Sequence, residues 1–322
     1  MPRLEAMLRP TSDVDRTDAE RSKLDDLPTE AGGEPGLDYE LRPTSELVSL
    51  MNGADREATD AVLAVREALA EAIDAIVERL LRGGRLVYVG AGSSGRIAAV
   101  DASECESTFS TAPGQVVALQ AGGAHASPLE QEAAEDDRAA GVAAVREHGI
   151  GALDAVVGVS ASGRTPFVLG AVEEASNAGA LTVGIAAVAG SELAVVADHE
   201  IAVVVGPEFI AGSTRLKAGT AQKLVLNAIS TISMIRLGKT FGNLMVDVNA
   251  TNEKLRARVR RIVETATGVS REQAEDALAA ADGNAKIAIV SLLADVDADA
   301  ARARLAESSG NVRIALERSG SE

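Results

Sequence analysis

The chain has 322 residues, 48 acidic against 31 basic, and a formal net charge of −17, which disfavours nonspecific binding to nucleic acid or to an anionic membrane. Its single cysteine, Cys105, excludes an internal disulfide framework and fits a reducing cytoplasm. Three scattered histidines (His125, His148, His199) with that one cysteine make no conventional zinc site, so no metal is expected.

The first forty or so residues are rich in Arg, Asp, Thr, Pro and Gly without periodicity, and are expected to form a mobile extension over 1–43. They contain no signal-like hydrophobic core, and no apolar stretch in the chain approaches membrane-spanning length, so a cytoplasmic protein is expected. From Thr44-Ser45 the pattern turns helical. A long amphipathic stretch from about Asp55 to Leu81 places Val62, Leu63, Leu69, Ile73, Ile76 and Leu80 at helical spacing, and Gly83-Gly84 stops it. Apolar, strand-like runs recur near 85–89, 115–119, 154–160, 181–187 and 199–205. Helical patterns near 94–102, 127–148, 166–179 and 213–236 separate them. This alternation predicts an α/β fold with a doubly wound parallel sheet of the flavodoxin-like kind, its ligands bound at the carboxyl ends of the strands. With aromatics at only 2% of residues, the core must be built of Ala, Val, Leu and Ile, which suits a helix-covered parallel sheet.

Beyond the Phe241–Asn249 stretch, Ala250-Thr251-Asn252-Glu253-Lys254 leads into a basic helix carrying Arg256, Arg258, Arg260 and Arg261. Ser270 is placed to cap a following helix. Asp282-Gly283-Asn284 forms a turn into a second one over Ala285–Leu293, and a further helix with a frayed end is expected in 295–322. The chain therefore divides into the extension 1–43, a main domain 44–252 and a small helical module 253–322.

Two segments carry the chemistry. Gly90-Ala91-Gly92-Ser93-Ser94-Gly95-Arg96 and Ser160-Ala161-Ser162-Gly163-Arg164-Thr165-Pro166 each follow an apolar strand and open a helix. Glycines let the backbone turn with its N–H groups converging, hydroxyls add donors, and the helix adds its positive end. Such a loop suits a phosphate. Two of them at neighbouring strand ends point to one site for a phosphorylated small molecule, with Ser93, Ser94, Ser160, Ser162 and Thr165 as binding residues and Arg164 and Lys217 behind them.

Simpler explanations compete with this one. The first loop also spells G-x-G-x-x-G, the dinucleotide fingerprint, which needs an acid at the end of the next strand; here that strand, Val116–Gln120, ends in Gln120-Ala121-Gly122-Gly123. Thr165-Pro166 is also an ordinary helix start that needs no ligand. Ser160, Ser162 and Arg164 are in excess of what a cap requires. Lys217 has the ordinary alternative of a surface charge, Cys105 that of a small buried filler, and His199 that of a structural residue rather than one reaching a partner's pocket.

Taken in order, Val89–Arg96, Asp101-Ala102-Ser103-Glu104-Cys105, Ala134-Glu135-Asp136-Asp137-Arg138, Ser160–Pro166, Gly212–Lys223 and Phe241–Asp247 resemble the N-acetylmuramic acid 6-phosphate etherase family, over roughly residues 44 to 295. The resemblance implies a sugar isomerase (SIS) type fold, a cytoplasmic homodimer and no cofactor. It implies conversion of a phosphorylated amino sugar, N-acetylmuramic acid 6-phosphate, with water into N-acetylglucosamine 6-phosphate and D-lactate in cell-wall recycling. The C-terminal module would then be a ubiquitin-associated-like three-helix piece. On the family's motifs, Glu104 is the acid that protonates the departing lactate and Glu135 the base on C2.

The chemistry is self-consistent. Opening the sugar ring exposes an aldehyde that acidifies the C2 proton, a base removes it, an acid protonates the lactyl oxygen, and water adds back at C3. Two carboxyl groups in different environments suffice. Without the resemblance, Glu135, in a run with Glu130, Glu132, Asp136 and Asp137, reads as part of a solvated helix face. The sequence departs from the family at Thr29-Glu30-Ala31-Gly32-Gly33, where an Arg-Asn pair is expected, and at Glu106-Ser107, where two prolines are expected. A sugar-phosphate isomerase and a non-catalytic sugar-phosphate sensor are the alternatives on the same fold.

Overall fold

The computed structural model describes residues 31, 38–123, 126–248 and 253–317. Most of the expected extension, including Thr29, Glu30, Gly32 and Gly33, lies outside the described residues, as do His125 and 249–252.

Five parallel strands, β1 (Leu86–Gly90), β2 (Val116–Gln120), β3 (Ala155–Val159), β4 (Leu181–Ala186) and β5 (His199–Ala202), form one sheet in the order β2-β1-β3-β4-β5. This is the flavodoxin-like order. The chain winds one way from β1 to β2 and the other way from β3 to β5, so a crevice opens at the carboxyl ends of β1 and β3. All five expected strands are present within a residue or three of their predicted limits.

Side chains alternate across the sheet, and each face has its own core. Leu86, Tyr88, Val157, Val183 and Ile201 point to the face covered by α2 (Arg66–Leu81), α3 (Gly92–Phe109) and α8 (Lys217–Arg236), with α1 (Thr44–Ala64) packed outside against α8. Val87, Val89 and Val156 point to the other face, covered by α5 (Arg138–Glu147), α6 (Pro166–Asn177) and the short α7 (Glu192–Val196).

The single helix expected over 127–148 is two, α4 (Pro128–Glu135) and α5. The break is local: the side chain of Asp137 accepts from the Ala140 N–H at 2.8 Å and caps a new helix. Helix α8 begins at Lys217 rather than 213 because the buried carboxylate of Glu208 accepts from the N–H groups of Lys217 (2.8 Å) and Ala218 (3.0 Å) and fixes the start there. A hairpin of β6 (Thr240–Phe241) and β7 (Leu244–Met245) follows.

The C-terminal helices α9 (Glu253–Thr267), α10 (Arg271–Ala280), α11 (Ala285–Ala294), α12 (Ala298–Glu307) and α13 (Val312–Glu317) enclose a third core of Val259, Val263, Ile287, Ile289 and Val312. That core also takes in Val246 and the partly buried Phe241 and Leu244 of the hairpin. Ser270 caps α10 in a reciprocal capping box with Gln273. The last stretch holds two short helices rather than one, because Ser309 and Gly310 adopt positive φ and Asn311 caps the second.

Asp101, in the Asp101–Cys105 segment, is structural. Its carboxylate accepts from Tyr88 Oη at 2.9 Å, Asn227 Nδ2 at 2.6 Å and Ser230 Oγ at 3.1 Å, tying β1, α3 and α8 together inside the core. Asp101→Ala strands these donors and is expected to lower stability by about 3 kcal/mol, read by urea unfolding. A loss under about 1 kcal/mol would mean the network carries little of the packing. Beside it, burial pushes the Cys105 thiol up to about 12, which suits the expected filler and not a nucleophile.

Candidate active site

At the crevice between β1 and β3 lies a cavity of about 470 Å³. Its walls include Gly92, Ser93, Ser94 and Arg96 at the start of α3, Ala161, Ser162 and Thr165 ahead of α6, Gln131, Glu132 and Glu135 on α4, and Gly212 and Thr214 from the loop before α8. The helices α3 and α6 have Ala91 and Thr165 at their N-caps, and neither is closed by a side-chain cap hydrogen bond. Their partially positive amide ends therefore open on the same space.

Thr165 is not the ordinary cap that Thr165-Pro166 allows. Its hydroxyl lies 2.9 Å from Ser160 Oγ and 3.5 Å from Glu135 Oε1, turned into the site rather than onto its own helix. Ser160, 2% exposed, sits behind the wall and accepts from the Gly163 N–H at 3.0 Å. A chain of donors thus runs from Gly163 N–H through Ser160 and Thr165 to the Glu135 carboxylate. Gly163 is required for this turn: its φ is +65°, and a Cβ there would sit 2.3 Å from Ser191 Oγ. Gly92, with φ +52°, brings the α3 amide end beside Glu135, whose Oε2 lies 3.6 Å from where a Cβ would stand.

Glu135 is half-buried. Burial raises its carboxyl above the ordinary glutamate range, the neighbouring Asp136 and Glu132 raise it further, and the Thr165 hydroxyl partly offsets this. The result is a carboxylate of enhanced basicity facing two helix N-termini.

Of the residues expected from sequence, Ser93, Ser94, Ser162, Thr165 and Glu135 line this one cavity, and Ser160 supports it. Arg164 gives its backbone N–H to Ser162 Oγ at 3.2 Å, and its side chain is not among the lining groups. Lys217 is buried; its Nζ pairs with Glu57 and donates to the Pro207 carbonyl at 3.0 Å, and it is not among the lining residues. Glu104 is on the exposed surface of α3, eleven residues beyond Ser93, or roughly 16 Å along the helix axis. Arg96, Gln131, Glu132 and Thr214 are wall residues that sequence reasoning did not single out. Arg96 and Thr214 fall inside quoted motifs, whereas Gln131 and Glu132 are recognisable only once α4 is seen to close the crevice.

Comparison with known proteins matches residues 68–176 to the glucokinase regulatory protein N-terminal SIS domain and residues 147–232 to the SIS domain. N-acetylmuramic acid 6-phosphate etherase of Streptomyces avermitilis is 54% identical over 92% of the chain and 95% of its own length. The protein of the same name from Rubrobacter xylanophilus is 54% identical over 91% and 97%, and that from Escherichia coli 47% identical over 92% and 99%.

Proposed function

The chain belongs to the N-acetylmuramic acid 6-phosphate etherase family, and from that premise and the cavity at β1 and β3 we propose that it cleaves the D-lactyl ether of N-acetylmuramic acid 6-phosphate, in recycling of cell-wall amino sugars. The products are N-acetylglucosamine 6-phosphate and D-lactate. One observation carries the assignment: a half-buried glutamate of raised basicity, Glu135, shares a cavity with two serine-bearing helix starts.

The sugar phosphate lies on the amide ends of α3 and α6, with the hydroxyls of Ser93, Ser94, Ser162 and Thr165 replacing its water and Ser160 holding Thr165 in place. Residues 44–252 work as this catalytic domain, and 253–322 as the helical module. In the ring-opened aldehyde, Glu135 takes the C2 proton. The electron pair forms the C2–C3 double bond as the C3–O bond breaks, and an acid protonates the lactyl oxygen. Water then adds its oxygen to C3 and a proton to C2, so that ether and water become alcohol and lactic acid. The Thr165 hydroxyl stabilises Glu135 in its charged form, ready to accept.

Glu104 is the acid on the family's motif. Within one protomer it stands too far along α3, but Val100, 64% exposed, lies one turn before it on the same helix face. Val48 and Leu63 of α1 and Ile232 and Ile235 of α8 are exposed apolar residues, and α8 packs against both α1 and α3. That face suits a second copy of the chain. The protein therefore works as a homodimer, each protomer bringing Glu104 to its partner's cavity. No single helix among the described residues is long and apolar enough to cross a membrane, and the acidic chain acts in the cytoplasm without nucleic acid or lipid.

The test is release of D-lactate from N-acetylmuramic acid 6-phosphate by the purified protein. Aldose-to-ketose conversion without lactate would identify an isomerase, and binding without turnover a sensor; either overturns the proposal. With Ser94→Ala and Ser162→Ala combined, the Michaelis constant is expected to rise about 30-fold with kcat within about threefold, because binding donors are lost and the base is not. An unchanged Michaelis constant would remove the phosphate from these loops.

A further inference from the structure

Among the described residues lining the cavity, Arg96 is the one cation. Its Nη1 donates to Gln131 Oε1 and its Nη2 to Ser93 Oγ, both at 3.1 Å. The guanidinium is thereby fixed between the start of α3 and the helix α4 that carries Glu132 and Glu135. Five N–H groups are available to a guanidinium, so donors remain after these two bonds.

The substrate of the etherase reading, on which this inference rests, carries two anions. One is the phosphate on C6; the other is the carboxylate of the lactyl group on C3. C3 adjoins C2, so with Glu135 acting at C2 the lactyl carboxylate must sit on the α4 side of the cavity, beside two glutamates. A third carboxylate there is repelled unless a cation intervenes. The phosphate lies three carbons further away and is supplied with neutral donors and two helix ends. Gln131, which holds Arg96, directly precedes Glu132 on α4.

We infer that Arg96 binds the lactyl carboxylate, and that this contact is what separates the ether substrate from its own product and from amino-sugar phosphates without the lactyl group. A guanidinium grips a carboxylate with two parallel bonds, whereas an ammonium offers only a point charge. Once the ether is cut, Arg96 is the one cation among the described lining residues left to hold lactate, which leaves separately from the sugar.

The experiment compares Arg96→Gln and Arg96→Lys with the unmodified protein. It measures kcat and KM for N-acetylmuramic acid 6-phosphate and the inhibition constant of N-acetylglucosamine 6-phosphate, which has the phosphate and lacks the lactyl group. Arg96→Gln is expected to lower kcat/KM about 100-fold, mainly through KM, with the inhibition constant within about twofold. Arg96→Lys should keep about a tenth of the original kcat/KM. A parallel rise in the inhibition constant would put Arg96 on the phosphate and overturn the inference, as would an unchanged kcat/KM. Failure of the etherase reading would show differently, as no lactate from the unmodified protein.

Discussion

Glu135→Gln is expected to lower kcat for lactate release about 1,000-fold or more while N-acetylglucosamine 6-phosphate still binds within about threefold of its original affinity. Glutamine keeps the size and can still accept from Thr165, so the phosphate loops are undisturbed; what disappears is the group proposed to take the C2 proton. Burial, reinforced by Asp136 and Glu132, holds the Glu135 carboxyl above its usual range, and this fixes the sign of two further effects. As a base it must be ionised, so the acid limb of the kcat/KM profile falls at a pH higher than an ordinary glutamate would give, and Thr165→Val moves it higher still. For stability, a carboxyl whose folded pKa is raised costs stability as pH climbs from the unfolded value through the folded one. That cost is fully present once the pH exceeds the folded value, so there Glu135→Gln should leave the melting temperature unchanged or slightly higher. A variant that loses activity together with several degrees of melting temperature would point to a structural role, and one that retains near-normal kcat would remove Glu135 as the base.

Sequence periodicity suffices for whatever depends on neighbours in the chain. The apolar runs of β1, β3 and β4 are buried on both faces, so they read as continuous, and the glycine and serine turns after β1 and β3 are visible in place. The doubly wound pattern puts ligands at the carboxyl ends of the strands, and the observed order β2-β1-β3-β4-β5 puts the crevice at β1 and β3. What stayed hidden depends on partners far along the chain. Lys217 looks like a surface charge until Glu57, 160 residues earlier, is seen against it. The true start of α8 needs Glu208, a buried acid in a loop without periodicity. Asp101 sits in a motif of catalytic character, yet its contacts with Asn227 and Ser230 lie more than 120 residues ahead. The two-residue strands β6 and β7 are too short for alternation to register. Glu135 is the most instructive case. Its run of acids has the look of a solvated face, and only the approach of Gly92 and Thr165 from two other loops gives this one carboxylate a different environment.

Two inactive variants are expected to restore each other. If Glu135 of one protomer works with Glu104 of the other, each cavity of the dimer is a composite. Glu104→Gln alone should then abolish lactate release, and so should Glu135→Gln alone. In a dimer that pairs the two variants, one cavity combines both substitutions and is dead, while the other combines both intact glutamates and works. Random exchange makes half of the dimers mixed, each with one of two cavities active, so the mixture should recover about a quarter of the unmodified activity. The physical basis is the length of α3: Ser93 and Glu104 are separated by roughly 16 Å of rigid helix, so one helix cannot present both to the same small sugar, whereas its exposed turn with Val100 can reach across an interface. Mixtures prepared by co-expression, with each chain carrying a different affinity tag, isolate the mixed species and should show about half activity. Activity that stays at the level of the single variants in purified mixed dimers would place both carboxyl groups in one protomer, and would turn attention to Glu132, the other acid on that cavity's wall.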